Sequence, residues 1–264
     1  MNAGFGGLLK SLRTSRRVSQ MQLSFDAEVS TRHLSFLETG KAHPSREMVL
    51  VLGSALDLPL RDRNLLLESA GFTAAYKETS LAAPEMAELL HAMQIIIRGH
   101  DPFPAMVMDR RWNIIMGNGG FAAAHALFTQ QQFEPYVMLP EPRPNLVTAL
   151  ADSYRPFIRN WDRVVLDVLP RVEREAQGNV EILSLCNELW RRSGLQKDRD
   201  FKARAALVLP VEIALGDQTA RLFSTITTLG TPQDVTTQEL RIEVFHPADD
   251  ASRRLLAPLL TTGA

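Results

Sequence analysis

The sequence predicts a two-domain protein of the α + (α+β) class, in which a small helical domain precedes a larger domain that combines an antiparallel sheet with helices. The length of 264 residues exceeds that of most single domains. Residues 1–72 carry five successive helical patterns, and the last third carries three segments rich in Val, Ile, Thr and Phe, which are typical of strands. We therefore assign 1–72 to the first domain, 73–83 to a linker and 84–264 to the second domain.

The composition excludes several classes of protein. Hydrophobic residues make up 45% and charged residues 22% of the chain, and no stretch approaches the roughly 20 apolar residues that span a bilayer. The first residues lack the features of a signal peptide, and Cys186 is the single cysteine. We expect a cytoplasmic protein with no membrane span, no disulfide and no cysteine-based metal site.

Capping signals define the helices of the first domain. Ser19 followed by Gln22 forms a capping box that starts a second helix, and Ser30 caps a third helix that ends at Gly40. The apolar residues Met21, Leu23 and Phe25 are expected to carry the second helix to Ala27. The predicted helices cover 7–16, 20–27, 31–39, 45–55 and 59–70.

The second and third predicted helices are joined by a tight turn, which is typical of a helix-turn-helix motif. Leu34 and Leu37 face inward, so the third helix presents its other face to solvent and has the form of a recognition helix for a DNA major groove about 12 Å wide. Residues 1–55 carry seven basic and four acidic side chains, although the whole chain has a net charge of −1. The side chains expected on the outer face are Thr31, Arg32, His33, Ser35 and Phe36.

This domain resembles the phage-repressor-like (XRE) helix-turn-helix family in the runs SQMQL at 19–23, VSTRHLSFLETG at 29–40 and PS at 44–45. The resemblance implies that the outer face of the third helix contacts bases, with Arg32 the best candidate for a bidentate guanine contact. The alternatives are an ordinary solvated helix face and, for Phe36, a core or dimer contact. Residues implied to hold phosphates or to complete the DNA-binding set are Arg17, Gln20, Lys41, Ser45 and Arg46.

The second domain begins with a helix after Pro84 and continues with two short strands at 105–109 and 112–117, joined by a hairpin turn. A mostly helical region follows at 145–192, and three strands are predicted at 207–215, 218–229 and 238–246. In the last strand Leu240, Ile242 and Val244 lie on one face, which we expect to be covered. This order predicts a PAS-like domain with a five-stranded antiparallel sheet and covering helices.

The second domain also resembles the MmyB-like transcription regulators. The matching segments are PAMVMDRRW at 104–112, RPFI at 155–158, LFSTITTLGTPQDV at 222–235 and ELRIE at 239–243. The resemblance implies a hydrophobic effector of the fatty-acid type, bound between the sheet and the helices. An apolar pocket with a few placed polar groups is the usual form of such a site.

Two groups of side chains are candidates for this ligand site. A carboxylate head group would need polar donors, for which the candidates are Asn118, Asn145, Arg155, Asn160 and Trp161. Each has a structural alternative: Asn118 as a helix cap, Trp161 as a core aromatic and Arg155 as the partner of a surface acid. The candidates on the strands are Leu209, Val211, Ile213, Phe223 and Thr225, although threonine in strands more often reflects β-propensity.

No phosphate-binding loop, metalloprotease helix, nucleophile elbow or dinucleotide glycine pattern occurs in the chain. We therefore predict a regulator without catalytic residues, metal site or obligatory cofactor. Its predicted partners are double-stranded operator DNA, a small hydrophobic ligand and a second copy of the chain in a homodimer. The alternatives are a PAS-like adaptor for protein contacts and a haem or flavin sensor on the same DNA-binding domain.

Overall fold

The computed structural model describes residues 4–176, 180–195, 210–230 and 232–261. Its described chain divides into a helical unit of Met1–Ala83 with Gly230–Gln238, and a second unit of Pro84–Leu229 with Glu239–Ala264. The helices of the first unit are α1 (Phe5–Ser15), α2 (Gln20–Asp26), α3 (Thr31–Glu38), α4 (Arg46–Ala55) and α5 (Leu60–Ser69).

Three serine caps determine where helices of this unit start. The hydroxyl oxygens of Ser19, Ser30 and Ser45 accept hydrogen bonds from backbone N–H groups three residues later. Each bond satisfies a donor that the first helical turn leaves unpaired. Gly40 follows α3 with a φ of +72°, a conformation that glycine adopts without steric cost. These helix boundaries confirm the predicted fold of the first domain.

The apolar residues of α2 divide between two faces of the helix. Met21 and Phe25 are 74% and 80% exposed, whereas Leu23 is fully buried. Residues four apart share a helix face, so turning Leu23 and Ala27 into the core directs Met21 and Phe25 to the opposite face. The core of the unit is built around buried leucines, including Leu9, Leu23, Leu34, Leu37, Leu52 and Leu66.

Residues 73–83, predicted as a linker, are grouped with the helical unit. The side-chain amide of Asn64 donates to the carbonyl of Tyr76 and its oxygen accepts from the amides of Ala75 and Tyr76. The helical unit also includes Gly230–Gln238, which the sequence assigned to the second domain.

The second unit begins with a 3-10 turn at Pro84–Met86 and α6 (Ala87–Arg98). Strands β1 (Ala105–Met108) and β2 (Ile114–Gly117) precede α7 (Gly119–Thr129), α8 (Leu146–Ala151), α9 (Trp161–Glu175) and α10 (Val180–Ser193). The chain then forms β3 (Val211–Leu215), β4 (Gln218–Thr228), α11 (Val235–Glu239), β5 (Arg241–Pro247) and α12 (Asp250–Thr261). A further 3-10 turn covers Arg155–Phe157.

The five strands form one antiparallel sheet in the order β2-β1-β5-β4-β3, which confirms the predicted PAS-like layout. Strand β5 is shorter than predicted at its start, because Asp234 accepts a hydrogen bond from the amide of Thr237 and begins α11 there. Leu209 lies outside the described residues. Within the part of the chain that the structure describes, no helix is long and apolar enough to cross a membrane.

The central strand β5 is buried on both faces. Ile242 is 2% exposed, and Glu243 on the opposite face is 4% exposed. Arg241 shares the face of Glu243 and is also buried. The apolar face of β5 is covered, as expected. The opposite face, which carries Arg241 and Glu243, is covered as well.

Candidate DNA interface and ligand cavity

The outer face of α3 carries exposed polar and basic side chains. Thr31 and Arg32 are exposed, while His33, Ser35 and Phe36 are partly exposed. The guanidinium carbon of Arg32 lies 5.3 Å from the centroid of the Phe36 ring, and the Lys41 ammonium lies 6.0 Å from the same centroid. Phe36 thus contacts two cations rather than the core, within the usual range of cation–π attraction.

The residues predicted to hold phosphates differ in their surroundings. Lys41 and Arg17 are exposed. Gln20 donates its side-chain amide to Glu38 at 2.7 Å, the Ser45 hydroxyl caps α4, and Arg46 donates to the carbonyl of Thr73 at 2.7 Å. These three side chains therefore have partners inside the protein.

An ion pair between Arg13 and Glu38, not anticipated from the sequence, links α1 to α3. The Arg13 guanidinium donates to both carboxylate oxygens, at 2.6 and 3.0 Å, and to the carbonyl of Val18 at 2.8 Å. Burial by itself would raise the pKa of Glu38, but hydrogen bonds from Arg13 and Gln20 outweigh it and leave this pKa lowered. The pair fixes the C-terminal end of α3, the predicted recognition helix.

The second unit contains a cavity of about 170 Å³ between its sheet and the helices that cover it. The wall from the sheet includes Met106, Ile213 and Leu222, and helices α7, α8 and α9 add further apolar side chains. This volume is close to that of apolar protein cavities that bind small aromatic molecules, about 150 Å³. Representative lining residues on the helices are Phe121, Phe128, Val147, Leu150, Val164 and Val168.

A buried polar pair lies in the wall of the cavity. The Nδ1 atom of His125 on α7 is 2.8 Å from the hydroxyl of Tyr154. Burial lowers the pKa of His125 and raises that of Tyr154. Both groups therefore favour their neutral forms, which suits a cavity for an apolar molecule.

The three asparagines predicted to contact the ligand have structural roles, and none is among the lining residues. Asn118 caps α7 and also hydrogen-bonds three backbone groups before it in the chain. Asn145 caps α8. Asn160 donates to the carbonyl of Pro210 and accepts from the amide of Glu212, which ties the start of α9 to β3.

Arg155 and Trp161 also lie outside the lining residues. The exposed Arg155 guanidinium stacks 4.1 Å from the Trp161 ring, and the indole N–H of Trp161 donates to the carbonyl of Leu150. On the strands, Val211 and Ile213 line the cavity, whereas Phe223 and Thr225 point to the other face of the sheet, where His246 contacts both.

Sequence reasoning missed the polar side chains of the cavity wall, which include Trp112, Arg171 and Glu243 besides His125 and Tyr154. Trp112 lies in the turn between β1 and β2 with a φ of +66°, rare for a bulky residue. A usable signal was present at Glu243, a charged residue between Ile242 and Val244 in a strand that pairs on both sides. Among the described residues, no cluster of His, Cys, Asp and Glu could hold a metal ion.

A helix-turn-helix domain joined to a domain with an apolar cavity defines the class of transcription regulators that bind DNA and sense a ligand. The model of the MmyB-like transcription regulator ligand binding domain matches residues 89–259, and that of a helix-turn-helix domain matches residues 5–66. The first match covers more than half of the chain, which therefore belongs to the MmyB-like transcription regulators.

A search of curated protein sequences found no match. Among solved structures, one similar chain is described as "Structure of an RNA-binding Light-Oxygen-Voltage Receptor", with 13% sequence identity and a TM-score of 0.26. The similarity covers 96% of this chain but only 60% of the length of that one. A TM-score this low supports no conclusion about fold or function.

Proposed function

We propose that the chain is a sequence-specific regulator that binds operator DNA as a homodimer and whose PAS-like domain binds a small hydrophobic molecule of the fatty-acid type. The observation that carries this proposal is the cavity of about 170 Å³, with predominantly apolar walls, in the domain that matches the ligand-binding family. An apolar cavity is stabilised by a ligand that restores the missing contacts of its walls.

The outer face of α3 supports the DNA half of the proposal. Arg32 and Lys41 carry exposed charges around Phe36, at the site where a recognition helix approaches base edges and phosphates. Two such helices, one from each copy in a homodimer, would read two half-sites about one helical turn apart.

We further propose that Gly230–Gln238, here called the coupling segment, links ligand binding to the DNA-binding domain. The segment groups with the helical unit, yet in the chain it lies between β4 and β5. Both strands line the cavity, β4 through Ser224 and β5 through Glu243. A ligand that displaces either strand would therefore pull on a segment that belongs to the helical unit.

Specific hydrogen bonds hold the coupling segment within that unit. One carboxylate oxygen of Asp234 accepts from the amide and the hydroxyl of Thr79, at 3.1 and 2.6 Å. The side-chain oxygen of Gln238 accepts from the amide of Leu60 at 2.7 Å. Since Pro59 provides no side-chain cap for α5, Gln238 supplies the missing acceptor at the start of that helix.

Native mass spectrometry of the purified full-length protein, followed by binding assays with dodecanoate, tests the ligand half of this proposal. We expect a bound apolar molecule, or saturable dodecanoate binding that is weakened by Ala124→Phe, because Ala124 lines the cavity. The matched control is Ala87→Phe on the exposed side of α6. Absence of both a bound molecule and dodecanoate binding would favour a protein-interaction adaptor, and a visible absorbance band would favour a haem or flavin sensor.

A further inference from the structure

Helix α6 has two apolar sides, of which only one is buried. Met93 and Ile97 are 1% and 0% exposed, whereas Ile95 and Ile96 are 60% and 45% exposed. The helix packs against β1 and β5, and no described residue of α6 is among those that line the cavity. The exposed side is here called the α6 face. Its residues, spaced three and four apart, are Glu88, Ala92, Ile95 and the C-cap Gly99, with Ile96 on the flank.

The apolar residues of the α6 face are contiguous. Ala92 is exposed and lies one helical turn before Ile95 and Ile96. Single exposed apolar side chains are common on protein surfaces, whereas contiguous ones mark sites of interaction with another molecule. A partner that covers this face would remove both isoleucines from water.

Gly99 leaves room for a close neighbour at one end of the α6 face. Its φ of −63° and ψ of −10° suit any residue, and a Cβ atom there would lie no closer than 3.5 Å to the nearest atoms, the carbonyl oxygens of Ile96 and Ile95. Neither the backbone conformation nor the packing of the described chain therefore requires glycine at this position. The absence of a side chain does allow the backbone of a second helix to approach closely.

The charges at the two ends of the α6 face have opposite signs. Glu88 is exposed in the first turn of the helix, and Arg98 is exposed in its last turn. When two α6 helices lie antiparallel about a twofold axis, Ala92 of each copy lies opposite Ile95 of the other. At this register Glu88 lies opposite Gly99 of the second copy and beside the second copy's Arg98. A parallel pair would place Glu88 beside another Glu88, so charge complementarity favours the antiparallel pair.

We propose that the α6 face is the surface through which two copies of the chain associate, as an antiparallel pair of α6 helices about a twofold axis. The interface is self-complementary, as a twofold axis requires, because the small Ala92 of each copy receives Ile95 of the other. Glu88 of each copy pairs with Arg98 of the other. This inference rests on the proposed homodimer, and it assigns the contact between the copies to a defined face of the second unit.

Sedimentation velocity of the full-length protein over a range of concentrations tests the inference. We expect the wild type to form a dimer whose fraction rises with concentration. Ile95→Glu should raise the dissociation constant of the dimer about 100-fold or more, because each copy loses a buried isoleucine and gains a buried acid. The matched control is Val180→Glu, an apolar-to-acid change at a 78% exposed position on α10, which we expect to leave the dimer unchanged.

Charge reversal tests the antiparallel register while leaving the apolar contacts in place. Glu88→Arg and Arg98→Glu each bring like charges together, and we expect each to weaken the dimer about fivefold or more. The double variant restores opposite charges, and its dissociation constant should return to within about twofold of the wild-type value. A folding defect would not be repaired by a second charge change, so this recovery reports the contact itself. Circular dichroism establishes that each variant is folded.

Two results would overturn the inference in different ways. A wild-type dimer that neither Ile95→Glu nor the single charge reversals weaken would leave the homodimer intact and assign the α6 face to another occupant, such as a different protein. A wild type that stays monomeric at every concentration would contradict the proposed homodimer as well as its surface.

Discussion

Arg13 on α1 and Glu38 at the end of α3 form a bidentate ion pair inside the helical domain, with N···O distances of 2.6 and 3.0 Å. Their side chains are 9% and 1% exposed, so solvent screens the interaction weakly. Gln20 donates to the same carboxylate, which brings the start of α2 into the network. One buried acid therefore positions all three helices of the DNA-binding face.

Glu38→Gln is expected to destabilise the helical domain by about 3 kcal/mol, because it leaves the Arg13 charge buried without its counter-ion. Amide hydrogen exchange of α1 and α3 in the full-length protein measures the effect, which corresponds to an increase of about 100-fold in exchange rate. Glu47→Gln, at an exposed position on α4, is the control. Unchanged protection in Glu38→Gln would show that the pair contributes no stability.

The same pair predicts a loss of stability in acid. Because the pKa of Glu38 is lowered in the folded protein, the unfolded chain takes up the proton first as the pH falls. The stabilisation is complete above the ordinary glutamate pKa of about 4.3 and is lost as the pH falls through the lowered value. In the wild type, the protection of α3 amides from hydrogen exchange should therefore decrease over this pH range. In Glu38→Gln the protection should depend less on pH.

Gly6→Ala is expected to separate α1 from α3. A Cβ atom at residue 6 would lie 2.4 Å from the carbonyl oxygen of Leu37 and 2.6 Å from that of Glu38, and neither backbone atom can move without shifting α3. Gly4→Ala is the control, since a Cβ there meets nothing within 4 Å. Weaker DNA binding is expected in Gly6→Ala alone, and equal affinity of the two variants would contradict this packing.

Arg32→Ala and Lys41→Ala should affect DNA binding differently. We expect Arg32→Ala to lower discrimination between operator and random duplex by about 1–3 kcal/mol, through loss of a base contact. Lys41→Ala should weaken binding to both duplexes about equally and reduce the salt dependence. Fluorescence anisotropy at several salt concentrations measures both effects. An equal loss of specific and random binding in the two variants would contradict the assigned roles.

Neutral His125 makes the ligand domain sensitive to acid. Burial lowers its pKa, so the unfolded chain binds the proton more strongly than the folded one. Above the ordinary histidine pKa of about 6.5, His125 is neutral in both the folded and the unfolded chain and the domain keeps its full stability. As the pH falls from there towards the lowered pKa, protonation of the unfolded chain reduces the free energy of unfolding. Thermal unfolding of His125→Gln should show a weaker pH dependence in this range than the wild type and the exposed-site control His91→Gln.

The features that could be predicted from the sequence are local ones. Ser19, Ser30 and Ser45 cap helices through bonds that span three residues, so the sequence alone reveals them. The succession of strands and helices along the second domain followed from β-rich segments and from the family resemblance. The exposure of Met21 and Phe25 could not be predicted in this way, because apolar character alone does not say which of two helix faces is buried.

The ligand site was harder to predict, because its polar groups come from a turn, a helix and a strand that are distant in sequence. Trp112, Arg171 and Glu243 show no common spacing that would mark them as a set. Asn118 and Asn160 looked suited to ligand contact, but their amide groups are used by backbone atoms of neighbouring elements. Partners across such distances are set by tertiary packing, which no local pattern specifies.

The affinity of the full-length protein for an operator selected from random duplexes, with and without a saturating dodecyl compound that binds it, tests the central claim most directly. We predict that the compound changes operator affinity about fivefold or more in the wild type, and that DNA changes affinity for the compound by the same factor. Asp234→Ala, which removes the acceptor for Thr79, should retain both separate binding activities but lose this change. An operator affinity that stayed the same in the wild type while the compound was bound would contradict the account.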